Sequence, residues 1–328
     1  SDSKGNPVLP SFFLNRFLEN NQAGELDARR LRPAPAGAKP PGPRAFLSDE
    51  TLREHVRSLH RRVSTTAIED FLQCPFKFFA ACTLKLEIPP PASGPSLDPR
   101  LEGEAAHDVL KRWVLSGGNI GRLVWPALER ICRRKGIPKN HRFLASGLEL
   151  LRSLRHFSRE ARHNGFSPVE VEASIEVALG ELATITGRID RIDRSNDGEL
   201  IIDYKYSRTD SVSKIPKEHE QGLRIQGGIY AEALRRQGRR VTGFSFAALR
   251  GRSEDKDKLW YGWKEDELNE VIRQALEFAG QAVEAIHQGV IAPKPARPDI
   301  CEHCDFQDIC RVETAAAALA AGASDGAE

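Results

Sequence analysis

Residues 187–205 read GRIDRIDRSNDGELIIDYK, and this stretch decides the fold class. Ile201 and Ile202 form a short apolar run, as a buried strand does, and Asp203 and Lys205 then share one face of that strand. Asn196-Asp197-Gly198 is a hairpin turn signal. The strand before it, Thr184 to Arg194, carries Asp190. Ile189 and Ile192 are not at period two, which predicts a bulge or a strand end there. Two carboxylates converging beside one lysine suit a divalent metal and an activated water, the chemistry of phosphodiester cleavage. Buried carboxylates side by side are costly unless a cation neutralises both. Oxygen ligands at this density suit Mg²⁺ or Mn²⁺. Lys205 is placed to orient or deprotonate the attacking water, or to stabilise charge developing on the phosphoryl group. A bare Asp-x-Lys also occurs as a pair of solvated hairpin charges, so its surroundings matter.

Upstream, Val169, Val171, Ala173, Ile175, Val177 and Leu179 alternate with Glu170, Glu172 and Glu176, predicting a half-buried strand over residues 169–179. Downstream, residues 218–237 read as a helix. Val241 to Leu249 and Lys258 to Trp263 read as strands, and residues 265–288 as a long helix. Before the sheet, a charged helix over 48–61 has Ser48 as its candidate cap, and Thr66-x-x-Glu69 fits a capping box. A loop with five prolines spans 88–99, and helices follow over 101–115, 121–135 and 140–164. Helices, three strands, a helix and a strand predict a mixed α/β domain with a small central sheet. Residues 1–46 read as the end of an upstream region, with an apolar patch from Leu9 to Leu18 and a Pro-rich linker. Residues 47–311 form the domain, and residues 312–328 an Ala-rich tail that frays.

The chain has 328 residues, a net charge of +2, 40% apolar and 29% charged residues, and no methionine. This balance suits a soluble globular protein. No apolar run approaches a membrane span, and no signal peptide opens the sequence. The near-neutral charge says little about nucleic acid by itself. Arg152, Arg155, Arg159 and Arg162 share one helical face, either a solvated face or a stripe that tracks phosphates. His107 lies on a helix and offers a neutral imidazole ligand. Gln226 and Tyr230, at i and i+4, share a helix face and suit a DNA phosphate or base. Trp260, Tyr261 and Trp263 are either stacking residues or core.

Six cysteines are too few for a disulfide scaffold in a chain of this length and point to a reducing compartment, the cytoplasm. Cys301-x2-Cys304-x5-Cys310 suits zinc or iron–sulfur, although zinc sites usually come as two close pairs. Cys74 is the candidate fourth ligand and Cys82 the runner-up. Cys132 reads as a packed thiol, and His303 as a residue outside the ligand set.

In order along the chain, His107, Gly187-x-x-Asp190, Asp203-x-Lys205 and Gln226-x3-Tyr230 resemble the RecB-type branch of the PD-(D/E)XK nuclease superfamily. The likeness runs from about residue 64 to 311. It implies a restriction-endonuclease-like mixed sheet flanked by helices. It implies that His107, Asp190, Asp203 and the Tyr204 carbonyl ligate the metal, and that Lys205 is catalytic. The Gly227-Gly228 pair departs from the pattern, where an apolar pair is expected. One cysteine before this core and three after it is similar to the iron–sulfur nucleases, which include AddB-type helicase–nuclease subunits and CRISPR-associated exonucleases. That likeness implies a [4Fe-4S] cluster on Cys74, Cys301, Cys304 and Cys310, stapling the two ends of the domain. The expectation is an Mg²⁺-dependent DNA exonuclease that takes single-stranded ends from a helicase–nuclease partner subunit in double-strand break repair. Alternatives are a self-contained CRISPR-associated-type exonuclease, a non-catalytic DNA-end-binding module, and a zinc-stapled structural protein.

Overall fold

The structure, a computed structural model, describes residues 45–86, 97–160, 165–251, 259–302 and 304–310. The expectations for residues 1–44, for most of the proline-rich loop, for Arg162, for His303 and for the tail lie outside these residues.

The order is α1 (Glu50–Leu59), β1 (Arg62–Ser64), α2 (Thr65–Gln73) and α3 (Pro75–Phe78), which runs on into a π-turn at Phe79–Thr83. Then come α4 (Pro99–Ser116), α5 (Ile120–Arg134) and α6 (His141–Glu160). The three central strands are β2 (Ser167–Leu179), β3 (Ala183–Arg194) and β4 (Glu199–Lys205). After them lie α7 (Thr209–Val212), α8 (Ile215–Glu220), α9 (Gln226–Arg236), β5 (Val241–Ala248), β6 (Trp260–Lys264) and α10 (Glu265–His287). Two single-turn helices, α11 (Asp299–Glu302) and α12 (Gln307–Cys310), carry cysteines. No described helix is long and apolar enough to cross a membrane.

The six strands form one mixed sheet in the order β1-β3-β4-β5-β6, with β2 also on β3. The placement of β3 creates the site. β2 runs antiparallel along one whole edge of it. On the other edge β1 pairs in parallel with Thr184–Thr186, and β4 pairs antiparallel with Arg191–Arg194. Residues 187–190 are left between them without a strand partner on that edge. The β4 strand is buried on both faces, which explains its continuous apolar run. Ile201 packs with α2, α9 and α10, whereas Leu200, Ile202 and Tyr204 pack with α4, α5 and α6.

Four local expectations are corrected. Asp49, not Ser48, caps α1, its side chain accepting from Leu52 N. Ser64 caps α2 by accepting from Ala67 N, so the Thr66–Glu69 box does not form. The expected irregularity near Ile189–Ile192 lies on the partner strands: the β2–β3 ladder shifts at Pro168/Glu170, opposite Asp193 and Ile192, and the β4 ladder stops at Arg191. Alternation is lost because Arg191, Ile192 and Asp193 are all buried, on both faces. The single helix over 218–237 is two helices, broken where Gly222 takes a left-handed φ of 73°. Gly227 and Gly228 are not a flaw in α9. An added Cβ would stand 2.5 Å from the Trp263 ring at the first and 2.5 Å from Ala275 Cβ at the second, so they let α9 lie against β6 and α10.

Candidate active site

At the unpaired stretch of β3 lies an open cleft of about 660 Å³, lined by His107, Gly187, Asp190, Asp203, Lys205, Gln226 and Tyr230 among others. Asp190 takes over where the ladder stops. Its Oδ2 accepts the backbone N–H of Tyr204 at 2.7 Å, in place of a strand partner. Within a strand, one residue's N–H and C=O point to the same side, so the Tyr204 carbonyl also faces this gap. Lys205 O points the other way and accepts from Leu249 N at 2.9 Å. Asp190 Oδ1 lies 3.0 Å from His107 Nδ1, which α4 brings over the sheet.

Asp203 is 2% exposed. Gln226 Nε2 donates to its Oδ1 at 2.7 Å. Its Oδ2 lies 2.7 Å from Lys205 Nζ, off the direction a hydrogen bond requires, and is otherwise unpartnered. Burial pushes the Asp203 carboxyl up to about 6, with Asp190 adding to the rise against the pull of Lys205. For Lys205, burial opposes the charge, but the Asp203 carboxylate outweighs it, so its pKa is raised and the ammonium stays charged. His107 is likewise raised: burial opposes its charge, and its bond to Asp190 more than compensates. Lys205 Nζ donates to Gln226 Oε1 at 2.7 Å, and Gln226 Nε2 also donates to the Tyr230 hydroxyl at 3.0 Å. That hydroxyl accepts the free Arg188 N–H of β3 at 3.4 Å. Gln226 and Tyr230 thus brace the acidic pair and the open strand edge.

Two residues in or beside this site escaped the sequence reading. Glu172 stands between Val171 and Ala173, which pair with Arg191 and Ile189, so it faces Asp190 across the ladder. It is a non-glycine residue at φ 55°, a strained conformation. Its carboxylate, His107 and Asp190 offer ligand atoms within 4.8 Å of one another, the one such group among the described residues. Arg188 Nη1 holds it at 2.9 Å. Glu69 is the second. Instead of closing its own helix, its Oε1 accepts from the backbone N–H groups of Ile225 and Gln226, both at 3.0 Å.

His107, Glu172 and Asp190 converge, while Asp203 and Tyr204 line the same cleft outside that group; carboxylates with a carbonyl and an imidazole are donors that suit a hard divalent cation. The buried Asp203 Oδ2 without a hydrogen-bond partner is the kind of orphaned oxygen a cation would satisfy. The arginines are not brought in: Arg152, Arg155 and Arg159 are exposed on α6 and line no part of the cleft. The aromatic trio is not a stacking platform. Trp263 is core, and Trp260 and Tyr261 pack against the two cores.

Cys74, Cys301, Cys304 and Cys310 line one cavity of about 480 Å³, with prolines and Ile300 around them. Cys82 and Cys132 do not line it. Burial pushes the Cys82 thiol up to about 11. The structure thus gathers the four cysteines around one cavity, and no three of their sulfurs lie within 4.8 Å of one another.

A family model, the PD-(D/E)XK nuclease superfamily, matches residues 62–311. The chain belongs to that superfamily. Its restriction-endonuclease-like fold, a mixed central sheet between two helical layers, follows from this match and from the topology above. This nuclease-superfamily chain is also 27% identical over 189 residues to an ATP-dependent helicase/deoxyribonuclease subunit of Streptococcus equi subsp. zooepidemicus. The match covers 55% of this chain and 17% of that protein, so the chain spans under a fifth of its relative's length. The crystal structure of SSO0001 aligns over 80% of this chain and 96% of its own, at 15% identity and a TM-score of 0.33, too low to bear on the fold.

Proposed function

We propose that this chain is a divalent-metal-dependent DNA nuclease acting on strand ends, and the nuclease part of a helicase–nuclease. The observation that carries the reading is the meeting of Asp190, Asp203 and Lys205 at the one open stretch of β3, with His107 above and Gln226 bracing them. His107, Asp190, Asp203 and the Tyr204 carbonyl, joined by Glu172, would hold Mg²⁺ or Mn²⁺. When bound, the ion polarises the phosphodiester and makes a water nucleophilic near neutral pH. Lys205 stays charged beside Asp203, which suits a donor to the phosphoryl oxygens rather than a base. Gln226 fixes both of its ends, accepting from Lys205 and donating to Asp203. Little freedom remains to be lost when substrate arrives.

Cys74, Cys301, Cys304 and Cys310 would hold a [4Fe-4S] cluster. The shared cavity supports the four-cysteine set, and its order of one cysteine before the core and three after it is that of the iron–sulfur nucleases the sequence resembles. The cluster would tie α2 to the C-terminal segment and so contribute to folding. The helicase partner is suggested by the relative's name alone, and the break-repair setting by the sequence resemblance to helicase–nuclease subunits.

The test is cleavage of end-labelled linear single-stranded DNA with Mg²⁺, comparing the chain with its Asp203→Ala and Lys205→Ala forms. We expect cleavage by the parent, none with chelator, none by Asp203→Ala, and a loss of about 10²–10³ in kcat for Lys205→Ala with DNA binding kept. A folded, cluster-bearing parent that binds ends but cuts nothing sinks the catalytic reading.

A further inference from the structure

The N-terminus of α9 has an unusual cap. Its N-cap position is Ile225, whose side chain makes no capping bond, although the first backbone N–H groups of any helix lack partners within it. Two amides at this end are satisfied from another helix, because the Glu69 carboxylate of α2 takes the Ile225 and Gln226 N–H groups. Glu69 is 4% exposed, and a carboxylate at the positive end of a helix is favourable. Its second oxygen accepts from Arg224 Nη1 at 3.0 Å. Arg224 Nε donates to Glu218 Oε2 at 3.2 Å, and Arg297 Nη2 donates to Glu218 Oε1 at 2.9 Å. Arg297 lies just before the helix that carries Cys301, and α2 ends where Cys74 begins. Both walls of the cysteine cavity therefore connect to one buried carboxylate, and that carboxylate fixes the residue that holds Lys205 and Asp203.

We propose that Glu69 is a positioning residue for the cleft: it sets the start of α9, and so the place of Gln226 between Lys205 and Asp203, and is held by the Arg224–Glu218–Arg297 chain from the cysteine-bearing segment. Its catalytic consequence rests on the nuclease reading above; its structural content does not. A bond between Glu69 and two backbone amides touches no substrate. Its loss shifts Gln226 without removing any group from the cleft, so turnover falls while substrate affinity stays.

The experiment measures steady-state cleavage of end-labelled single-stranded DNA by the chain and by Glu69→Ala, Glu69→Gln and Arg224→Met, with amide hydrogen exchange at Ile225 and Gln226. For Glu69→Ala we expect kcat to fall about tenfold or more with KM within about threefold, and those two amides to exchange about tenfold faster. Glu69→Gln keeps an acceptor oxygen and should return to within about threefold of the parent. Arg224→Met, at a half-exposed position, should lower kcat in the same direction and gives the answer if Glu69→Ala does not fold. Parental kcat in a folded Glu69→Ala, a loss confined to KM, or unchanged exchange at both amides overturns the proposal. A parent that does not cleave counts against the nuclease reading, and hydrogen exchange then still judges Glu69.

Discussion

Asp190 Oδ2 bonds the backbone N–H of Tyr204 at 2.7 Å at the point where β3 and β4 part. A side chain thus finishes a ladder that the backbone leaves incomplete. An unmade bond to a buried N–H is expensive, so the carboxylate is held in place before any ligand arrives. The same contact turns the Tyr204 carbonyl toward the gap. One hydrogen bond thereby places two of the candidate ligands.

Gly187 is extended, so its conformation does not require glycine, but its surroundings do. An added Cβ would stand 2.6 Å from Tyr230 Cε1 and 3.2 Å from Ile175 Cδ1. We expect Gly187→Ala to displace the Tyr230 ring and with it Gln226. Cleavage should drop about 10²-fold in a protein whose far-ultraviolet circular dichroism is unchanged. Parental activity would show that the Tyr230 brace is dispensable.

Glu172 faces Asp190 and stands within ligand distance of it and of His107. Glu172→Gln keeps the shape and removes the charge. We expect Mn²⁺ affinity, measured by calorimetric titration, to weaken about tenfold or more. An unchanged affinity would leave Glu172 only as the partner of Arg188.

Cys74→Ser should lose iron and visible absorbance, and should melt at a lower temperature because the two ends of the domain are no longer joined. Cys82→Ser, outside the cavity, should keep the parental iron content. Equal iron in both variants would refute the ligand set.

His60 and His219 are buried, and burial lowers each to about 4. Neither His219 nitrogen has a hydrogen-bond partner. Unfolded, both titrate near 6.5. Between about 4 and 6.5 the unfolded state binds more protons, so stability rises with pH across that window. It is fully present above 6.5 and is lost on acidification, by on the order of 2 kcal/mol for each histidine. Urea unfolding of the parent and of His219→Phe at pH 5 and 7.5 measures this; the variant should lose about half of the difference. The same difference in both would exclude His219 as a source.

The cleft was legible where chemistry and spacing coincide. Asp190, Asp203, Lys205, Gln226 and Tyr230 each sit on one element at a period that puts them on one face, and the structure brings them to one cleft. Glu172 was hidden because a strand with glutamates at alternate positions looks like a solvated face. Counting back across the turn at Gly180 would have set it opposite Asp190. Glu69 was hidden for a different reason: its pattern matches a local cap, whereas its partner is 157 positions downstream. The glycines of α9 looked like an interruption because nothing local announces how closely α10 and β6 approach. Arg152, Arg155 and Arg159 share an exposed face of α6, and only the fold shows that none of the three lines the cleft.

The parallel pairing of β1 with β3 has a kinetic consequence. It joins segments far apart in the chain; Thr186 Oγ1 reaches Val63 O across 123 positions. Closing so long a loop is costly before its contacts repay it, and such topologies assemble slowly. The hairpins of β2, β3 and β4 form from neighbours, while β1 must wait for the five helices between to collapse. The wall that Ser64, Thr65 and Thr66 contribute to the cleft is therefore among the last parts to arrive, and a partly folded chain has carboxylates and a lysine in place without the enclosure that would make them an active centre.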